Sequence, residues 1–182
     1  MKWSRRRLLS TAGMMAGASA AGILKSVAAE ENAGSRRIVL QSLHTPETLD
    51  IAYRRGNDYV PEAIAAIQVL LRDYRTGAQH PIDPTLMDYL YEVAHRAGAP
   101  PVFSVISGYR SPQTNEMLHE RSGGVASHSL HMEGRAIDVR LHSVDCASLA
   151  EKALAMQRGG VGYYNRSDFV HLDTGRFRTW RG

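Results

Sequence analysis

The chain has 182 residues with 43% hydrophobic content, which fits one compact domain with an ordinary core. The formal net charge of +4 comes from residues 1–29, which hold five basic and no acidic residues; without them 22 − 5 = 17 basic residues stand against 18 acidic ones, a net charge of −1. This balance argues against a nucleic-acid partner, and the single cysteine, Cys146, excludes an intramolecular disulfide.

Residues 1–29 have the pattern of an export signal. Ser4-Arg5-Arg6-Arg7-Leu8-Leu9 is a twin-arginine motif, and Val27-Ala28-Ala29 offers small residues to a signal peptidase after an apolar stretch. That stretch is short and rich in Ala and Gly, so it does not favour a membrane span, although an uncleaved N-terminal anchor is the alternative. We predict a twin-arginine signal peptide, a periplasmic location, and one mature domain over residues 30–182 without a stable membrane span.

The mature chain then mixes strand and helix patterns. Alternating and β-branched runs predict strands, whereas apolar residues at three- and four-residue spacing, with Asp, Ser and Pro at the starts, predict helices. In chain order these are strands over 36–43 and 48–53, helices over 61–75 and from 84, a strand over 102–107, a helix from 112, a strand over 135–141, a helix over 145–157, and strands over 161–164 and 168–173. The predicted fold class is α+β: a small antiparallel sheet with helices packed on one side.

One set of residues has the chemistry of a metal-binding site. His131 stands seven residues before Asp138, with Gly134 and Ala136 between them, and His171 follows in the last predicted strand. Two imidazoles and a carboxylate suit zinc better than calcium or magnesium, and catalytic zinc sites use three protein ligands. We therefore predict a Zn²⁺ site formed by His131, Asp138 and His171, with a buried His–Asp pair without metal as the alternative.

The pattern His-x-x-Gly-x-Ala-x-Asp with a distant His resembles the zinc signature of the D-alanyl-D-alanine metallopeptidases. That superfamily includes lysostaphin-type enzymes and the hedgehog signalling domain. The segments Ser107-Gly108-Tyr109-Arg110-Ser111 and Gly160-Val161-Gly162-Tyr163-Tyr164 are most similar to its murein endopeptidase K branch. The resemblance spans roughly residues 36–180 and implies a hedgehog-like fold and hydrolysis of peptide cross-links in peptidoglycan during cell-wall growth or remodelling.

The resemblance also implies roles for single residues. Arg110 matches an arginine that hydrogen-bonds the scissile carbonyl, where it would stabilise developing negative charge; a structural salt bridge is the alternative. Family members take their general base from a carboxylate three positions before the last histidine ligand or from a histidine two before it. Here those positions are Asp168 and Phe169, so Asp168 is the predicted base, with a shorter side chain than the usual glutamate; a turn carboxylate is the alternative.

Three further residues are candidates around the predicted site. His128 is expected to act as an acid or base or to point outward, and Asp173 shares a strand face with His171 and is expected to orient its ring. Tyr109 is expected to line the substrate groove or to belong to the core.

The expected partners are peptidoglycan stem peptides, and the protein is expected to be a monomer. Two other functions remain open at this point: a D,D-carboxypeptidase or dipeptidase acting on stem peptides, and a non-catalytic zinc-bearing module that binds peptidoglycan. The sequence does not distinguish the cross-link types.

Overall fold

A computed structural model describes residues 34–121 and 126–182, so the predicted signal over residues 1–29 lies outside the described residues. Within the described ranges no helix is long and apolar enough to cross a membrane. The elements are β1 (Ser35–Ser42), β2 (Thr48–Arg55), β3 (Asp58–Tyr59), α1 (Pro61–Leu70), α2 (Pro84–Arg96), β4 (Val102–Ser107), α3 (Pro112–Arg121), a 3-10 helix (Leu130–Glu133), β5 (Ala136–Leu141), α4 (Cys146–Met156), β6 (Gly160–Tyr164), β7 (Phe169–Asp173) and β8 (Arg178–Arg181).

The strands form one sheet in the order β3-β2-β1-β4-β5-β7-β6-β8, which confirms the predicted α+β class. The sheet differs from the predicted small antiparallel one, because it has eight strands and is mixed. Strand β1 pairs with β4 in parallel, and β6 pairs with β8 in parallel. Both parallel pairs join strands that are not consecutive in the chain. Strand patterns do not report such pairings, because they describe each strand without its partner.

The two faces of the sheet have different chemistry. Along β5 and β7, Ile137, Val139, Val170 and Leu172 belong to the hydrophobic core, while Asp138 and the other intervening side chains point to the opposite face. Helices α1, α2 and α4 supply buried apolar residues to that core. The buried residues of α3 are instead the polar Thr114 and Asn115. The polar face of the central strands is therefore free to carry a functional site.

Helix starts follow the predicted caps. The Asp83 carboxylate accepts a hydrogen bond from the backbone N–H of Thr85, with Pro84 next in the chain, and Asp145 accepts one from Ser148. Ser111 accepts one from Thr114 at the start of α3. These local signals need no tertiary partner, which explains why they are readable in the sequence.

Helix α1 is shorter than predicted, since it ends at Leu70 and not near Arg75. The apolar spacing continues through Tyr74, but the chain leaves the helix and turns toward the end of β4. There the carbonyl of Leu71 accepts a hydrogen bond from the N–H of Tyr109 at 2.7 Å. A tertiary contact therefore overrides the helical pattern at this end.

A buried carboxylate ties α2 to the edge of the sheet. Asp88 is 3% exposed and accepts hydrogen bonds from the hydroxyls of Tyr53 and Tyr59 at 2.9 and 2.6 Å. Arg36 and Arg54 form ion pairs with it at 2.9 and 2.8 Å. Because its charge is paired and its oxygens are hydrogen-bonded, Asp88 serves the fold.

Candidate active site

The site lies on the polar face of the sheet, in a row of directly paired residues. Asp138 on β5 is opposite His171 on β7, which is opposite Gly162 on β6, which is opposite Trp180 on β8. Residues paired in this way place their side chains on the same face. The register therefore brings Asp138 and His171 together across 33 residues of sequence.

His131 reaches the same point from the 3-10 helix that precedes β5. Ser129 caps that helix by accepting a hydrogen bond from the N–H of His131, and Gly134 ends it with a φ of 66°. This left-handed conformation suits glycine, and it turns the chain directly into β5. The 3-10 helix and the strand that follows it thus bring His131 and Asp138 close together.

Three ligand atoms converge there. Nε2 of His131 lies 3.1 Å from Nδ1 of His171 and 3.2 Å from Oδ1 of Asp138, and the latter two atoms are 2.9 Å apart. All three residues are buried, with exposures of 2%, 6% and 8% for His131, Asp138 and His171. The three residues predicted as ligands form a group that could hold a metal ion.

The outer nitrogens of both rings face acceptors. Nδ1 of His131 lies 2.7 Å from the carbonyl oxygen of Gly108, and Nε2 of His171 lies 3.0 Å from a carboxylate oxygen of Asp173. A ring proton at each of these positions leaves the inner nitrogens with lone pairs that face each other and the Asp138 oxygen. Three converging electron pairs favour a cation between them, and two nitrogens with one oxygen fit zinc.

The pKa shifts of Asp138 and His131 favour cation binding, whereas that of His171 favours a proton which a bound cation would displace. Burial alone would raise the pKa of Asp138, but His131 and His171 hold the pKa of that carboxyl well below its usual range. Burial lowers the pKa of His131. The pKa of His171 is raised, since its hydrogen bonds with Asp138 and Asp173 outweigh burial. The site thus keeps an ionised carboxylate that attracts positive charge.

Asp173 contacts His171 as predicted and is itself tightly held. It is fully buried, and it accepts hydrogen bonds from the N–H groups of Gly160 and Gly175 at 3.0 and 2.8 Å. The guanidinium of Arg178 forms two hydrogen bonds with its oxygens at 3.0 and 2.6 Å. These contacts fix the carboxylate that in turn fixes the orientation of the His171 ring.

Arg110 enters the site from the turn between β4 and α3. Its side chain is 10% exposed, and Nη2 lies 3.5 Å from Oδ2 of Asp138. Burial lowers its pKa, which the charge of Asp138 opposes. Its Nε is buried and has no hydrogen-bond partner among the described residues. A buried donor without a partner is costly, so this nitrogen is available to an acceptor that enters the site.

A cavity of about 690 Å³ opens above these groups. The three predicted ligands, called the ligand trio below (His131, Asp138 and His171), and Arg110 line this cavity. One side is formed by His128, Ser129 and Leu130, and Tyr164, Phe169 and Trp180 form an aromatic wall. This volume is in the range of sites that take small molecules or peptide segments.

The aromatic wall includes a residue that the sequence analysis missed. The Trp180 ring centroid lies 5.1 Å from that of His171, and its Nε1 donates a hydrogen bond to the Tyr164 hydroxyl at 3.0 Å. Space for the indole comes from Gly162, where an added Cβ would come within 2.5 Å of the ring. The only sequence signal was the glycine itself, whose partner on β8 cannot be identified without the sheet register.

Replacing Gly162 with alanine is therefore expected to lower the affinity of the site for a metal ion about tenfold or more, because the displaced indole would turn the His171 ring away from Asp138 and His131. Competition with a chromophoric chelator measures this affinity. In a Trp180→Leu background the same Gly162→Ala change should have little further effect, and an equally large effect there would contradict the explanation.

Two predicted candidates do not reach the cavity wall. Asp168 has a φ of 50°, a turn conformation that aspartate tolerates. Its side chain is 69% exposed and forms an ion pair with Arg140 at 3.3 Å. Tyr109 is 9% exposed, belongs to the hydrophobic core and stacks on His80. The geometry thus favours the turn alternative for Asp168 and the core alternative for Tyr109.

The class of protein follows from these features. A buried His–Asp–His group, open to a cavity and flanked by a buried arginine, on an α+β domain is the arrangement of a metal-dependent hydrolase. A family model described as peptidoglycan L,D-endopeptidase MepK matches residues 30–180. The chain belongs to this family of metallopeptidases.

Individual relatives agree with the family match. The peptidoglycan L,D-endopeptidase MepK of Escherichia coli is 39% identical over 179 residues, covering 97% of each chain. A probable peptidoglycan L,D-endopeptidase MepK of Haemophilus influenzae is 35% identical over 181 residues, covering 98% of this chain and 96% of the relative. The predicted resemblance to a murein endopeptidase of this superfamily is confirmed.

Proposed function

We propose that this chain is a zinc-dependent endopeptidase that hydrolyses peptide cross-links in peptidoglycan. The observation that carries the proposal is the convergence of His131, Asp138 and His171 within about 3 Å of one another beside Arg110. The names of the relatives, which span nearly the whole chain, supply the substrate class.

The same names also indicate which type of amide bond the relatives cleave. An L,D-endopeptidase cleaves an amide whose carbonyl belongs to an L-centre and whose nitrogen is attached to a D-centre. We propose that this chain acts on such a bond within a cross-link, a choice that the motifs alone leave open. The cavity of about 690 Å³ beside His131, Asp138 and His171 is in the size range of sites that take peptide segments.

His131, Asp138 and His171 would hold the zinc through Nε2, a carboxylate oxygen and Nδ1. The ion would supply Lewis acidity, which polarises a carbonyl and lowers the pKa of water from ~15.7 toward ~7. Gly108 and Asp173 keep the two rings oriented through their outer nitrogens. This support from neighbouring groups means that the ligands need little rearrangement when the metal binds.

Arg110 would stabilise the negative charge that develops on the scissile carbonyl oxygen. Its Nε has no partner within residues 34–121 and 126–182, and its guanidinium is held near Asp138 in a buried position. Hydrogen bonds aimed at developing charge in a water-poor site are worth more than the same bonds in water. The desolvation of Arg110 is therefore offset when the substrate oxygen becomes anionic.

Proton transfer requires a further titratable group. Both candidates are exposed, but His128 lines the cavity, whereas Asp168 is not among the lining residues and is paired with Arg140. We propose His128 as the group that exchanges protons with water and the leaving amine. Asp168 is the second candidate for this proton transfer, and variants at the two positions distinguish them.

We expect His128→Gln to lower kcat by at least about a hundredfold, the usual contribution of a general acid or base. Asp168→Asn is expected to stay within a few-fold of the original kcat, since asparagine also tolerates the turn conformation. Steady-state hydrolysis of a cross-linked muropeptide measures both. The opposite ranking would identify Asp168 as the base.

Export remains a proposal based on the twin-arginine motif. We propose that residues 1–29 direct the folded chain to the periplasm, where peptidoglycan is accessible. Fractionation of cells that express the chain with Arg5 and Arg6 replaced by lysine tests this. Unchanged periplasmic recovery of that variant would exclude the twin-arginine route.

The activity itself is tested with purified protein and cross-linked muropeptide dimers, followed by chromatography and mass spectrometry. We expect conversion of dimers to monomers, loss of that conversion with a chelator, and recovery with added zinc. Product masses identify the bond. Release of a terminal alanine alone would instead indicate a carboxypeptidase, and absence of turnover by zinc-loaded protein would indicate a binding module.

A further inference from the structure

We infer that Asp73 is a positioning residue for Arg110: from outside the cavity it holds the turn that presents the guanidinium to the substrate. This inference rests on the catalytic role proposed for Arg110. Asp73 lies in the loop after α1, is 2% exposed, and is not among the residues that line the cavity. It was not a candidate in the sequence, because nothing near it in the chain carries site chemistry.

The contacts of Asp73 surround the turn. Its Oδ2 accepts hydrogen bonds from the backbone N–H and the hydroxyl of Ser111 at 2.9 and 2.6 Å. The carbonyl of Leu71, two residues earlier, accepts one from the N–H of Tyr109 at 2.7 Å. The intervening N–H of Arg110 donates to the carbonyl of His131 at 3.1 Å. Three consecutive backbone donors are thus held, and the loop after α1 holds the outer two.

The turn also allows a close approach that fixes its position. A Cβ on Gly108 would lie 2.6 Å from the carbonyl oxygen of Leu71, so only glycine lets the two segments pack this tightly. The carbonyl of the same Gly108 faces Nδ1 of His131 at 2.7 Å. One turn therefore sets the placement of Arg110 and supports the ring of His131, so a small shift of this turn moves both.

The charge of Asp73 acts in the same direction. Besides the two hydrogen bonds from Ser111, this buried carboxylate accepts one at its other oxygen from the N–H of Arg75. Hydrogen bonds, chiefly from Ser111, lower its pKa to about 2 in spite of burial. It is therefore ionised, and its negative charge favours the charged form of Arg110, whose desolvation is otherwise unfavourable.

The first test compares two buried carboxylates. Asp73→Asn keeps the size of the side chain but turns its NH₂ toward one of the N–H donors. We expect kcat on cross-linked muropeptides to fall about tenfold or more, with KM little changed, because small displacements of a catalytic group are costly. Ser111→Ala removes the hydroxyl donor to Asp73 and the cap of α3 but keeps the backbone hydrogen bond to Asp73, so it should shift kcat in the same direction by less.

Asp88→Asn is the matched control, since Asp88 is equally buried but holds α2 and not the turn. It should lower the melting temperature without changing kcat below that temperature. Zinc content is measured for every variant, so that a loss of metal is not read as a loss of Arg110 positioning. Equal kcat for Asp73→Asn and Asp88→Asn would overturn the inference.

A double-mutant cycle isolates the route of the effect. If Asp73 acts through Arg110, adding Asp73→Asn to Arg110→Ala should change kcat by less than roughly twofold, which is the usual scatter in such additivity tests. A full effect of Asp73→Asn in that background would overturn the inference and leave Arg110 in place. Unchanged kcat in Arg110→Ala alone would refute the proposed role of Arg110 itself, together with the inference that depends on it.

Discussion

Replacing Asp138 with alanine is expected to remove bound zinc and to lower cross-link hydrolysis by well over a hundredfold. The carboxylate is buried, and its Oδ1 lies 2.9 and 3.2 Å from the inner nitrogens of His171 and His131. Without it, two neutral imidazoles remain to bind a dication. Loss of a residue that merely supports a metal ligand already costs about 10- to 100-fold, so loss of a ligand should cost more.

The measurements are zinc content by elemental analysis and product formation from muropeptide dimers. Asp50→Ala is the matched control, because Asp50 is an exposed carboxylate whose ion pair with Arg37 contributes little. The control should keep its zinc and its activity. Stoichiometric zinc in Asp138→Ala, with the ion held as tightly as before, would show that Asp138 is not a ligand.

The second large effect is expected from Arg110→Ala, which should lower kcat about 10²- to 10³-fold while zinc content stays the same. The guanidinium acts on charge that appears only in the transition state, so KM should change much less than kcat. Arg110→Lys should recover little, because an ammonium cannot reproduce the planar arrangement of donors.

Arg37→Ala is the control for this experiment, since it removes an arginine whose side chain is 59% exposed. Single-turnover kinetics separate the chemical step from product release. An increase in KM with kcat unchanged would assign Arg110 to substrate binding and contradict a role in stabilising the transition state.

The two faces of the sheet have different roles: one packs into the hydrophobic core, and the other carries the site. Ile137 and Val139 pack into the core, while Asp138 between them points into the site. A single strand therefore contributes to both stability and chemistry. The site is built mainly on strands and held by hydrogen bonds from their neighbours, which is the kind of frame that keeps ligand atoms in place.

Local features were predictable because their causes are local. Pro84 after Asp83, and Pro112 after Ser111, mark helix starts whatever the rest of the chain does. The end of α1 was not predictable. The helical spacing of apolar residues continues beyond Leu70, but the helix ends there, where Leu71 contacts Tyr109, which is 38 residues away in the sequence. The parallel pairings of β1 with β4 and of β6 with β8 were hidden for the same reason.

By itself the sequence predicted that His131, Asp138 and His171 form one site, since the spacing from His131 to Asp138 and the strand around His171 resemble the zinc signature of the family, and the structure brings these three residues together. The tertiary structure decided the surroundings of that trio. In the fold Trp180 packs against His171, Asp168 pairs with Arg140, and Asp73 hydrogen-bonds Ser111, the residue next to Arg110. These relations depend on strand register and on loops that meet across the fold, and hydrogen bonds between distant residues leave no periodic trace in the chain.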